Sequence, residues 1–420
     1  MYRILIFADS KYRDLPSNVL LKHTIQQKYP ESIIIICSFN IWQSAIETFS
    51  PHLVVLTHML GKRSKAIASF VRRNGGSVAV LYTEGIIEFK GKEAVFLAQK
   101  DSNYVDLFLC WNKEVASLIG DKAAVVGSPR FDFYKKPLDS LIDSKGLFCD
   151  KYNLDYARPI LLMGDSWPSS KFKYSLKSFH RNDWKDLGNV KADKWADPDK
   201  FAEDQYAMQE QFKVYALAVM DAYPDIQVVI KSHPMSDFRR WSRWTTEHGI
   251  TLVHGEYIFN ALNAADAYAT KTGSITAAEA WLMDTIVIKI GQEYDSSSSL
   301  EQHELDEWNV STVGGFVGAV GNALLDQDDG VLDGHKEYLK KWGMLRRGSS
   351  AKLVTKKLGE LLESSSKQPI RMPRLAILKE TIRNHDIAHT IPVVDGFGNF
   401  NKAVTSQDVS YWYNKIAKVL

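Results

Sequence analysis

The chain has 420 residues, 45% of them hydrophobic and 24% charged, with 52 basic against 50 acidic side chains and a formal net charge of +2. At 47.6 kDa it exceeds what one hydrophobic core usually holds, so two domains are expected. The balanced charge gives no electrostatic reason to expect a nucleic-acid partner, and no stretch approaches the roughly 20 apolar residues of a membrane span.

The chain opens with "MYRILIFADS", a short strand and a polar loop rather than a secretory signal, which implies a cytoplasmic protein. Short β-branched runs then recur at 3–8, 33–37, 53–57, 77–82, 106–110 and 123–126, with amphipathic stretches near 18–28, 41–49, 63–74 and 112–119 between them. Strand and helix alternating at this spacing predict βαβ units and a parallel sheet covered on both faces. Cys37 and Cys110 end apolar runs and read as core thiols; with Cys149 they form no metal-like spacing, which suits a reducing compartment.

A second series follows. Strands are predicted at 159–163, 226–230, 250–254, 266–270 and 285–290, and a helix over 199–222 behind the N-cap and proline of Asp197-Pro198. Between the first of these strands and that helix runs a polar, aromatic stretch, 164–198, which reads either as a closing substrate loop or as solvated chain. Trp167, Trp184, Trp195, Trp241 and Trp244 lie in polar company, where indoles suit sugar stacking, a bilayer interface or ordinary partial burial. Helices are expected at 313–326 and 335–363, then a tail of low periodicity, then a terminal amphipathic helix opening at Ser406 or Gln407. The fold class is therefore α/β. An N-terminal Rossmann-like domain (1–140) and a second one (150–330) face a central cleft, and C-terminal helices and tail (331–420) pack back on the first.

Strand ends carry the candidate chemistry. In "VIKSHP" the β-branched run meets Lys231 and His233, and Pro234 holds the histidine in extended backbone where it can meet a phosphate; the plain alternative is a strand terminator. In "TKTGSITAAEA" a strand turns at Gly273 into a helix whose first turn carries Ser274 and Thr276, either an anion seat or an ordinary Ser cap, with Glu279 within reach of ribose hydroxyls. "LYTEGI" aims Glu84 into the cleft from the first domain as a general base or acceptor ligand, or leaves it a solvated turn glutamate, with Asp9 a weaker candidate. "MGDSW" puts Asp165 at a strand mouth as nucleophile, base or Asx cap. In "GSPRFD" Arg130 and Asp132 lie near the domain junction, where pairing as a structural clasp is expected ahead of direct ligand contact.

The order TEG, GSPRFD, KSHP and TGSITAAEA over roughly 80–290 resembles bacterial surface-carbohydrate biosynthesis proteins of the GT-B glycosyltransferase type. The His-Pro element is similar to that of β-Kdo transferases and polysialyltransferases, which use CMP-activated acidic sugars. The resemblance implies that His233 meets the donor phosphate, with Lys231 and Gly273 beside it. It gives Ser274 and Thr276 the phosphate or cytidine, Glu279 the ribose, and Glu84 or Asp165 the chemistry. Ser128 stands where Asn is usual, and Gly164-Asp165-Ser166 and Ser232 also depart from the pattern. The expected reaction moves a sugar, such as CMP-linked Kdo, onto a lipopolysaccharide, O-antigen, capsule or other lipid-linked or polysaccharide acceptor. No cofactor is expected beyond the nucleotide-sugar, and no metal, since Asp328-Asp329 reads as a helix connector. The alternatives are a polyol-phosphate (CDP-glycerol-type) transferase and a sugar-nucleotide epimerase of the same architecture. The terminal "SYWYNKIAKVL" is expected either to dock on the first domain or to touch the inner membrane peripherally.

Overall fold

The computed structural model of the protein describes residues 1–86, 96–97, 99, 103–174, 198–271, 274–291, 309–325, 333–364 and 404–420. β1 (Arg3–Ala8), β2 (Ile33–Ser38), β3 (Leu53–Leu56), β4 (Ser77–Leu81), β5 (Leu107–Cys110) and β6 (Ala123–Val125) form one sheet in the order β2-β1-β3-β4-β5-β6. β7 (Ile160–Gly164), β8 (Gln227–Lys231), β9 (Thr251–Val253), β10 (Ala267–Lys271), β11 (Ile286–Ile290) and β12 (Asn309–Val310) form a second in the order β12-β11-β10-β7-β8-β9. Every pairing is parallel.

Successive side chains of a strand point to opposite faces, and here both faces are apolar. Ile4 and Ile6 enter the core on one side of the first sheet, Leu5 and Phe7 the core on the other. Ile160 and Leu162 against Leu161 and Met163 do the same in the second sheet. The two lobes are therefore doubly wound, as the pattern of β-branched runs predicts. Strand order reverses between β1 and β3 in one lobe and between β7 and β10 in the other. Such switch points leave a crevice beyond the strands' carboxyl ends.

Two helix boundaries and one strand differ from those read in the sequence. The first helix begins at Lys11 rather than near residue 18, running to Lys28 through Pro16. Its start is held by Asp14, whose carboxylate accepts from the backbone N–H of Asp9 and Ser10 at 2.9 Å each. The stretch expected as one helix over 335–363 is two, Asp333–Lys341 and Ser350–Glu363. Gly343 and Gly348, at φ of 75° and 78°, break it, because a left-handed residue cannot continue a right-handed helix. The short edge strand β12 was hidden by its length.

Helix Ser350–Glu363 and the terminal helix Ser406–Val419 both pack on helix Lys11–Lys28 of the first lobe. Leu358, Trp412 and Ile416 share a core with Ile4, Leu15 and Val19. The apolar face of the terminal helix is thus spent on protein, with Trp412 Nε1 donating to Tyr257 Oη at 2.8 Å. Trp167 and Trp241 are likewise core residues, each almost wholly buried. No described helix is long and apolar enough to cross a membrane. The stretch 164–198 begins with a 3₁₀ helix, Pro168–Tyr174; residues 175–197, Gly273, Asp328-Asp329 and the tail from 365 to 403 lie outside the described residues.

Candidate functional site

A cleft of about 360 Å³ opens where the carboxyl ends of the two sheets meet. β1 and β4 deliver Asp9, Ser10 and Glu84 from the first lobe, and β7, β8 and β10 deliver Asp165, His233 and Ser274 from the second. Lys231, Arg130 and Thr276 also line it. Of the residues predicted from the sequence, Glu84, Asp165, Lys231, His233, Ser274, Thr276 and Arg130 therefore share one hollow, while Glu279 and Asp132 do not line it.

His233 stands just past β8. The backbone N–H of Met235 donates to its Nδ1 at 3.0 Å. A backbone amide can only donate, so a neutral ring must carry its proton on Nε2. Burial, foremost, together with the cations Lys231, Lys171 and Arg13, pushes the imidazole down to about 4, against the opposing pull of Asp165. His233 is thus a neutral hydrogen-bond donor at physiological pH.

Lys231 closes β8 and is 6% exposed. Among the described residues its Nζ makes no hydrogen bond and no ion pair. Burial lowers its pKa to about 8, partly offset by the charges of Glu256 and Asp165. Both of those carboxylates are engaged elsewhere. A cation at the cleft with its donors unspent has the chemistry to accept an anion, since charges held away from water are usually paired.

Asp165 is a hub rather than a free base. Its Oδ1 accepts from Trp167 N at 3.1 Å and Gln209 Nε2 at 3.2 Å. Its Oδ2 accepts from Trp241 Nε1 at 2.8 Å, from His233 N at 3.3 Å and from the Ser236 hydroxyl. The Asx-cap reading describes the Trp167 contact, and the remaining bonds tie down the loop that carries His233. With both oxygens accepting hydrogen bonds, the geometry fits positioning of the His233 loop better than nucleophilic attack.

Glu84 is half-buried on the opposite wall, near enough to Arg13 for its charge to support that guanidinium. Asn112 Nδ2 donates to Gly85 O at 2.7 Å and fixes the turn beside it. Ser274 occupies the N-cap position of helix Ile275–Trp281 without capping it. Its hydroxyl instead meets Thr276 Oγ1 at 2.6 Å, which in turn meets Tyr268 Oη at 2.7 Å. Gly164 makes room for that phenol: a Cβ there would lie 2.2 Å from Tyr268 Oη.

The junction residues are paired differently from expectation. Arg130 bonds Glu279, not Asp132: its Nε donates to Oε1 at 2.8 Å and its Nη2 to Oε2. Tyr134 Oη adds a bond to Oε1 at 2.7 Å. Glu279, wholly buried, has both oxygens spent and is turned away from the ribose role. Asp132 instead caps helix Ser350–Glu363, accepting from Ser350 N at 3.0 Å, Ala351 N at 2.9 Å and Ser349 Oγ at 2.9 Å.

Sequence reasoning missed Tyr12, Arg13 and Glu256, which line the cleft. Tyr12 and Arg13 were hidden by the late helix start. Glu256 follows β9 and is 3% exposed, bonded to Lys151, to Asn260 Nδ2 at 3.0 Å and to Tyr152 Oη at 3.2 Å. Burial works to raise its pKa, but the Lys151 ammonium, the Tyr257 backbone N–H and the Asn260 amide outweigh it, leaving it below the ordinary value.

No family model matches the chain, and no curated protein matches it. Solved structures do. The wall teichoic acid polymerase TagF soaked with CDPG superposes with a TM-score of 0.54 at 8% identity, covering 86% of this chain and 89% of that one. The UDP-GlcNAc 2-epimerase of Neisseria meningitidis bound to UDP-GlcNAc superposes with a TM-score of 0.50 at 11% identity, covering 87% of this chain and 100% of that one. The fold is of the GT-B type. At such identities the likeness is one of architecture, and the chemistry rests on the cleft itself.

Proposed function

We propose that the protein is a glycosyltransferase that moves a sugar from a nucleotide donor to a hydroxyl of a surface polysaccharide or lipid-linked acceptor. The observation that carries this reading is the buried Lys231 ammonium, unspent among the described residues, beside the Nε2–H of His233 and across from Glu84. The donor's phosphate lies against Lys231 and His233, with Ser274 and Thr276 beside it. Glu84 takes the proton of the acceptor hydroxyl, whose oxygen attacks the anomeric carbon. The bond from that carbon to the phosphate oxygen breaks, and the electron pair leaves with the nucleotide. The developing negative charge meets donors already aimed at it, in a site where water does not screen them. Asp165 contributes by holding the His233 loop.

The finer reading, from the KSHP and GSPRFD stretches, is a CMP-linked ulosonic acid such as Kdo as donor, without a metal. A polyol-phosphate transferase is the second reading, favoured by the architectural likeness to TagF, whose structure was determined with CDPG. The same cleft then holds a diphosphate, the acceptor oxygen attacks its distal phosphorus instead of carbon, and the phosphoanhydride bond breaks with CMP leaving on the electron pair. Thermal shift against CMP, CDP, UDP and GDP tests the site, since a ligand of the native state raises its melting point by mass action. Selective stabilisation by CMP supports the ulosonic reading and by CDP the polyol-phosphate one. A protein that none of the four stabilises has no nucleotide site. Transfer that persists in excess chelator supports the metal-free mechanism; loss restored by magnesium removes it.

A further inference from the structure

Arg130 lies on the segment Pro129–Tyr134, which follows the last strand of the first lobe. Its side chain is 15% exposed and lines the cleft. A guanidinium has five N–H donors in a planar fork. Glu279 takes one from Nε and one from Nη2, and Tyr134 braces the same carboxylate from behind. Among the described residues no group accepts from Nη1. The outer edge of the fork is thus presented to the cleft, fixed in plane by a carboxylate that is wholly buried. A structural clasp alone does not account for an arginine held this way with donors left over in a ligand-sized hollow. A planar fork suits a carboxylate or phosphate more closely than any other ligand group.

We infer that Arg130 is a substrate-contact residue that reads an oxyanion, and that Glu279 and Tyr134 are its positioning residues. The inference rests on the nucleotide reading of the cleft and divides the labour within it. Lys231 is the uncompensated charge, whereas the Arg130–Glu279 pair is close to neutral and supplies direction rather than charge. Thr276 and Glu279 are three residues apart on one face of helix Ile275–Trp281. The oxyanion is therefore gripped beside Thr276, and it ties the connection between the lobes to the second lobe when substrate is bound. Its source is either the nucleotide phosphate or a carboxylate on the transferred sugar.

The test measures affinity by calorimetry for CMP, for CDP and for a CMP-linked acidic sugar, with wild type, Arg130→Lys and Tyr134→Phe. Arg130→Lys keeps the charge and loses the fork. A drop of about 10- to 100-fold, the usual worth of a hydrogen bond to a charged group, is expected for at least one ligand. A drop for CMP itself assigns the oxyanion to the nucleotide phosphate; a drop confined to the acidic sugar assigns it to the carboxylate. Tyr134→Phe, which does not touch the cleft, is expected to weaken the same ligand by a smaller factor. Arg130→Lys with wild-type affinity for all three overturns the inference and leaves the nucleotide reading standing. Wild type that binds none of the three, and that UDP and GDP also fail to stabilise, overturns both. Melting temperatures of the variants separate lost folding, which lowers the active fraction, from lost affinity, which shifts the midpoint.

Discussion

Replacing Lys231 with methionine should stabilise the unliganded protein while removing much of its hold on a nucleotide. The ammonium is 6% exposed, and its pKa falls from an ordinary 10.5 to about 8. At about 1.4 kcal/mol per pH unit, keeping the charge in the cleft costs the folded state roughly 3 kcal/mol. The direction of the linkage follows from proton counts. Below pH 8 both folded and unfolded chains hold the proton, so the full cost is present at pH 7. Between about 8 and 10.5 the unfolded chain binds more protons than the folded one, so the cost is relieved as pH rises. Methionine is of similar length and carries no charge, so Lys231→Met should gain about 2–3 kcal/mol at pH 7 and progressively less toward pH 10. An anion in the cleft repairs the deficit, so wild-type affinity for CMP or CDP should fall as pH rises through about 8. The variant should bind about 10- to 100-fold more weakly, without that pH dependence. Urea denaturation at pH 7 and 9.5, with nucleotide titrations at both, measures every term. A variant less stable than its parent at pH 7, or one with unchanged nucleotide affinity, refutes the picture of a cation kept for its ligand.

Glu84→Gln should slow transfer by roughly 100- to 10,000-fold while leaving nucleotide affinity almost unchanged, which steady-state rates and calorimetry separate. Asp165→Ala removes the acceptor of Trp241 Nε1 and Gln209 Nε2 and should cost about 1–3 kcal/mol for each donor left unsatisfied, read as a lower denaturation midpoint, with Asp165→Asn milder. Gly164→Ala drives a methyl to 2.2 Å from Tyr268 Oη; overpacking of this kind costs about 1–3 kcal/mol, and freeing Thr276 should weaken nucleotide binding as well. His233, pushed down to about 4 chiefly by burial, should stay neutral down to about pH 5. Because the unfolded chain takes up that proton first, near the ordinary 6.5, stability should fall as pH drops from 6.5 toward 4. An imidazole resonance of His233 that titrates near 6.5 in the folded protein defeats this.

The lobes were legible because parallel strands buried on both faces leave a coarse signal: Ile4-Leu5-Ile6-Phe7 and Ile160-Leu161-Leu162-Met163 cannot alternate with polar residues when each face has its own core. Residues at the carboxyl ends of such strands were legible for the same reason, since the loop beyond a buried strand has only the crevice to face. Pairing was not legible. Arg130 and Asp132 are neighbours in sequence, but the 3₁₀ turn Pro129–Tyr134 sends one to Glu279 and the other to the start of helix Ser350–Glu363. Such partners are 149 and 218 residues away, beyond the reach of any local pattern. Tyr12 and Arg13 were lost because the amphipathic pattern was read only from residue 18, whereas Asp14, by accepting from Asp9 and Ser10, lets the helix start at Lys11.

The partners chosen by the acids explain how the cleft keeps an unspent cation although the chain is nearly neutral. Asp165 is spent on the His233 loop, Glu256 on Lys151 and Asn260, and Glu279 on Arg130 and Tyr134. Three carboxylates are thereby consumed in holding loops and a guanidinium in place. Among the described residues, none of them bonds the Lys231 ammonium that stands between two of them. Had Asp165 turned to Lys231, the cation would be satisfied, and the loop carrying His233 would lose its anchor. The fold thus keeps its positive charge unsatisfied by giving nearby acids more donors than a lysine offers. That arrangement is stable only because the surrounding sheets are already closed on both faces and can bear the cost.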